Sequence, residues 1–242
     1  MHPEGVYQKL TQGFPSSGLD FLYYWLRAAR FFGVEGAALQ WTAGGQLKLA
    51  WQGNGPSREE LQGLALSGSD GTAYLLLGSL CALHQGFSDV QWRFTQGSAH
   101  WSPKGPVWNW QERLRIPGFQ LQAGGRKPPT SQALPSLPID LDWNGRTLKR
   151  AALPPSRFQT GPLTAGSAHF WVDGWRLPPP PELQPPTRSQ LEIPITADER
   201  PLVRLDLLCQ RPLAGQGTLW QQRIWQHLLQ QPNWTSDWTE WG

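Results

Sequence analysis

Gly53-Asn54-Gly55-Pro56, followed by Ser57-Arg58-Glu59-Glu60-Leu61, is the stretch whose residue types could do chemistry. Leu47 to Trp51 alternates apolar and polar residues and then breaks sharply at the glycines. A strand that enters a glycine turn and then a helix gathers free backbone N–H groups, and such a cradle can hold a phosphate. Ser57 with Glu60 three residues on has the pattern of a capping box, which marks a helix start. The acidic residue that a nucleotide site of this kind needs is missing. The backbone of a site is legible here, and its chemistry looks erased.

Little else in the chain competes. His84, His100, His169 and His227 are scattered without metal-ligand spacing, and no metal site is expected. No Gly-x-Ser-x-Gly, Walker loop or His-Glu-x-x-His occurs. Asp140 and Asp142 share one strand face, which is not enough to assign acid–base work. Ser79 and Cys81 fall on an apolar helical stretch and read as packing residues rather than nucleophiles. No catalytic residue is assigned.

The elements that must position the turn can be read in order. Phe14 to Gly18 is a turn cluster. Leu19 to Phe32 has helical spacing through Leu19, Leu22, Tyr23, Leu26, Ala29 and Arg30, and Gly33 ends it. Ala37–Thr42 and Gln46–Trp51 form a hairpin about Ala43-Gly44-Gly45. Ser57–Leu66 is a helix, Ser67–Gly71 a loop, and Thr72–His84 a second apolar helix. Asp89–Thr95 alternates with Val90, Trp92 and Phe94 inward; Ser98–Ser102 returns, and Phe119–Leu121 adds a strand. Gly124 to Pro138 breaks the composition, and a linker is placed at 124–136. Strands follow at 137–143, 168–172, 175–177, 190–196 and 202–209, with turns at Asn144-Gly145 and Asp173-Gly174. Pro178–Pro181 reads as a polyproline II spacer, and Leu219–Gln230 as an amphipathic helix. The tail, 232–242, carries Trp234, Trp238 and Trp241, which share a face if helical and could bind a partner or fold back on the chain.

Composition bounds the classes. The 242 residues suit one large or two small domains. Gly (26) and Pro (23) are frequent and charged residues are only 16 %, which favours turns over long helices. The 15 tryptophans against a single Met either fill the core or form contacts with a partner. A net charge of +3 without a basic run permits nucleic acid but does not indicate it. Two distant cysteines make no disulfide framework, and no stretch reads as a signal or membrane span. The expectation is a cytoplasmic protein without membrane association.

The order helix, strand, strand, glycine turn, helix, loop, helix, strands over about residues 18–122 resembles the GHKL (Bergerat-fold) ATPases, which include MutL and the ninety-kilodalton heat-shock chaperone. That family carries Glu-x-x-x-Asn-Ala on its first helix and Asp-x-Gly-x-Gly at the turn. Here the first falls on Tyr24-Trp25-Leu26-Arg27-Ala28-Ala29 and the second on Trp51-Gln52-Gly53-Asn54-Gly55. Arg58-Glu59-Glu60-Leu61 is similar to the family's continuation, and residues 68–71 fall where its nucleotide lid lies. The glycines match and the polar residues do not. The resemblance puts the family's general base at Tyr24, its magnesium-binding Asn at Ala28 and its adenine-reading Asp at Trp51. None of these can activate water, hold magnesium through an amide oxygen, or accept the adenine amino proton.

The resemblance implies an α+β chain. A two-layer α/β sandwich at 1–123 would be followed, after the linker, by a smaller strand-rich transducer-like α+β domain at 137–231 and the tail. The leading expectation is a non-catalytic interaction or scaffold subunit with a protein partner and no cofactor. Tyr24, Ala28, Trp51, Gly53 and Gly55 would be the remnant of a nucleotide site. A second expectation is a chaperone-like ATPase using ATP and Mg through Glu35, Glu59 or Asp70. A third is a nucleic-acid-binding protein.

Overall fold

The computed structural model describes residues 13–14, 18–53, 55–62, 71–110, 116, 118–128, 137–150, 157–160, 167–172, 175–178, 189–195, 215, 221–222 and 226. The chain divides into two compact units, Met1–Ala151 and Ala152–Gly242. The expected strand at 202–209 and the three tail tryptophans Trp234, Trp238 and Trp241 lie outside the described residues, as does most of the expected 219–230 helix.

The first unit is α+β. Its described helices are α1 (Asp20–Phe31), α2 (Arg58–Gln62) and α3 (Gly71–His84). Its strands are β1 (Gly36–Trp41), β2 (Leu47–Trp51), β3 (Asp89–Phe94), β4 (Gly97–Ser102), β5 (Gly105–Asn109), β6 (Phe119–Gly124), β7 (Asp140–Trp143) and β8 (Arg146–Leu148). They form one sheet in the order β5-β4-β3-β6-β2-β1-β7-β8. Every neighbour pair is antiparallel except β1 with β7.

Strand alternation produces the core directly. Leu39, Leu49, Leu121 and Trp92 stand in register across β1, β2, β6 and β3, and all are fully buried. Side chains one residue away point to the opposite face, because successive residues of a strand alternate sides. The helices cover the inner face. Ring contacts join Phe21 of α1 to Trp41 at 6.0 Å, and the Trp92 indole N–H donates to Ser79 Oγ of α3 at 2.9 Å. That is the expected helix-on-sheet arrangement.

α1 and α3 pack on each other as well as on the sheet, so both are buried nearly all round. Residues 21–29 of α1 and 71–83 of α3 are all buried. A Cβ at Gly78 would overlap the Trp25 indole, so the helices approach at a point where only glycine fits. Buried Arg27 crosses the same interface. It donates to the Tyr74 hydroxyl at 2.8 Å, with its guanidinium 4.3 Å from the Tyr74 ring centroid. Arg30, expected among the contact positions, is exposed in the last turn instead.

The boundary between units differs from the one expected at 124–136. Gly124 closes β6, and Arg126 is fastened to the first unit. Its guanidinium donates to Gln85 Oε1 at 2.8 Å and to the Gly18 carbonyl at 3.1 Å, and its own carbonyl accepts the Trp41 indole N–H at 2.9 Å. The strand expected to open a second domain is β7, and it pairs with β1, Gly36 opposite Asp140 and Leu39 opposite Trp143. Glycines and prolines broke the periodicity without ending the unit, and a parallel pairing across about a hundred residues leaves no local signal. The Asn144-Gly145 hairpin turn is present, with φ of +50° and +84°. β5 was not expected. Its Gly105-Pro106 start hides it, and β4 recruits it through a tight hairpin.

The second unit contains β9 (Arg157–Thr160), β10 (Ser167–Val172), β11 (Trp175–Leu177) and β12 (Ser189–Pro194), in the order β11-β10-β12-β9. Phe170, Leu177 and Ile193 are buried. Glu192 is also buried, accepting the Trp171 indole N–H at 2.6 Å, with His169 Nδ1 at 3.7 Å. No helix among the described residues is long and apolar enough to cross a membrane.

Candidate functional site

The glycine turn is built as its residues dictate. β2 carries Leu47, Leu49 and Trp51 inward and ends at Trp51. Gly53 follows with φ +98°, a conformation side chains rarely adopt. Gly55 lies so close to Phe119 that a Cβ there would sit 3.3 Å from that ring. The capping box then forms: the Ser57 N–H donates to Glu60 Oε2 at 2.6 Å, and the Glu60 N–H donates to Ser57 Oγ at 3.2 Å. The Glu60 carboxylate is therefore committed to the helix start.

Trp51 is buried. It is 2 % exposed, and its ring stacks on Phe119 at 4.9 Å and 23°. Phe119 stacks in turn on Phe94 at 6.3 Å and 10°, and lies 6.2 Å from Trp92. Phe94 meets Trp110 edge-on at 5.8 Å, and Trp110 stacks on Trp108 at 4.8 Å, with Arg58 over the Trp110 ring at 5.1 Å. A continuous run of rings thus extends from the turn to the edge strand. Gly118 seals the backbone side, since a Cβ there would collide with the Trp51 carbonyl.

The structure gathers Trp51, Gly55, Gly118 and Phe119 around one point. Tyr24 and Ala28 are on α1, both fully buried. Tyr24 packs edge-on against Phe14 at 6.2 Å, in a different ring group that includes His84. Of the substitute acids, Glu35 and Glu59 are exposed, and Asp70 lies outside the described residues. ATP and magnesium, which the family resemblance implies, do not fit these residues. An indole stacked in the core cannot accept the adenine amino proton.

Several other polar groups of the unit are engaged structurally. Ser79 Oγ donates to the Leu75 carbonyl at 2.8 Å while accepting from Trp92. Cys81 is buried, and desolvation first, with the Asp20 charge second, raises its thiol pKa and keeps it protonated. Burial also raises the Asp20 carboxyl pKa, against hydrogen bonds from its own backbone and from Gln85. Asp140 accepts the Arg150 N–H at 2.9 Å and Lys149 Nζ at 2.8 Å, which lower its pKa. Asp142 accepts the Gly145 N–H at 2.7 Å. These two aspartates hold the β7–β8 hairpin and are not an acid–base pair. No group of three potential metal ligands is found among the described residues.

The sequence reading missed two residues at the heart of this packing. Arg27 was hidden because a cation in an apolar helix normally marks the exposed face. Phe119 was placed on a strand, but its stack on Trp51 joins positions far apart in the chain.

No family model matches the chain. No curated protein matches it. Among solved structures, it is similar to the MutL ATPase domain of Aquifex aeolicus complexed with ADP. That likeness has 9 % identity and a TM-score of 0.38, and it covers 74 % of this chain and 93 % of that one. At that level it carries no argument about activity, ligand or residue roles.

Proposed function

We propose that this chain is a non-catalytic, GHKL-like interaction or scaffold subunit of a larger protein assembly. The observation that supports the reading is the placement of Trp51. The position where the resemblance puts the family's adenine-reading carboxylate holds a core indole, stacked on Phe119 and sealed by Gly118. Tyr24 and Ala28, at the other two family positions, are buried and offer neither carboxylate nor amide oxygen. The glycines then serve the turn and the tight packing around Phe119, and the capping box serves α2.

The test is a steady-state ATPase assay on the full chain with magnesium. The reading expects no hydrolysis above background. Hydrolysis that disappears in Gly53→Val or Gly55→Val would overturn it.

A further inference from the structure

The strands that bury Trp51 have a second face, away from the helices. Its centre, on β2, β6 and β3, is set by register. Arg93 stands opposite Gln120, Gln91 stands opposite Gln122, and Gln122 stands opposite Lys48. These five side chains are half-buried, and among the described residues they make no hydrogen bond or ion pair. Facing side chains of neighbouring strands lie about 5 Å apart, so the five form one patch.

Arg93 is the unusual member. Its Nε is buried and finds no acceptor. That nitrogen is closed to solvent; the terminal N–H groups of the guanidinium are not among the buried unpaired atoms, and they are what a ligand can reach. The only outward carboxylate on these three strands is Asp89, at the end of β3, and it faces His100 at 3.8 Å. The patch centre therefore presents two cations among amides, with no carboxylate beside them among the described residues.

We propose that this face docks an acidic protein segment, with Arg93 as its anchor. Guanidinium and ammonium groups bind carboxylates, and the glutamine amides between them can pair with main-chain amides as well as carboxylates. No aromatic side chain stands at the outward positions of these strands, so bases would have nothing to stack on. Two cations are also few for a nucleic-acid backbone. The inference goes beyond the scaffold reading and stands whether or not the chain binds nucleotide.

The experiment is fluorescence anisotropy of the full chain with labelled poly-L-glutamate, run beside poly-L-glutamine and an oligothymidylate. Poly-L-glutamate is expected to bind most tightly. Arg93→Gln is expected to weaken it about tenfold, and Lys48→Gln to weaken it in the same direction if the first variant folds poorly. Arg146→Gln/Lys149→Gln, at the β8 edge, should leave it within about twofold. Absence of poly-L-glutamate binding, equal binding of oligothymidylate, or an equal loss in the β8 variant would each overturn the proposal.

Discussion

The inner and outer faces of β2, β6 and β3 differ by one residue of offset. Inward lie Leu49, Trp51, Phe119, Leu121 and Trp92, all buried, with their rings in contact. Outward lie Lys48, Gln91, Arg93, Gln120 and Gln122, half-buried and without a side-chain hydrogen bond or ion pair among the described residues. The inner face, where Trp51 stands, is packed core. The opposite face carries polar groups that no other described residue bonds.

The contrast between the two faces is largest at Trp51. Trp51→Ala removes a stacked indole from the inner face and should destabilise the first unit by about 3–5 kcal/mol, read from the denaturant midpoint. A loss near zero would mean that the indole is not core and that the site is open. On the outer face, Arg93→Gln removes a buried unmade donor and should leave the unit at least as stable as the native chain, read the same way. A large loss there would make Arg93 a structural residue and erase the contrast.

The smallest effect is a pH dependence at the margin of the outer face. Asp140 has its folded-state pKa lowered, first by the Arg150 N–H and then by Lys149. A lowered pKa gives stability that is present above the unfolded value of about 3.9 and is lost as pH falls through the folded value. The thermal midpoint of the native chain should therefore fall more steeply on acidification below about pH 4 than that of Asp140→Asn. Equal slopes would show that the Asp140 contacts contribute nothing.

Much of this unit was legible because local signals agreed. Val90, Trp92 and Phe94 alternate with polar residues and form β3, and Ser57 with Glu60 forms the capping box as their spacing requires. Asn144-Gly145 tolerates the positive φ values that its tight turn demands. The parts that were not legible depend on distant partners. β7 belongs to the first sheet only because β1 lies beside it, and Arg126 sits in a glycine- and proline-rich stretch yet bonds to Gln85 and Gly18. Arg27 is buried because Tyr74, 47 residues away, accepts its hydrogen bond. At the candidate site, the apolar and aromatic character of Tyr24, Ala28 and Trp51 could be read from the sequence alone. The Phe119 stack and the Gly118 seal needed the fold.

The most direct test of the central claim is a calorimetric titration of the full chain with ADP and with magnesium–ATP. The account predicts no heat of binding and no accompanying thermal shift, because the Trp51 indole occupies the core between β2 and β6. Saturable one-to-one binding that is lost in Gly53→Val would contradict it.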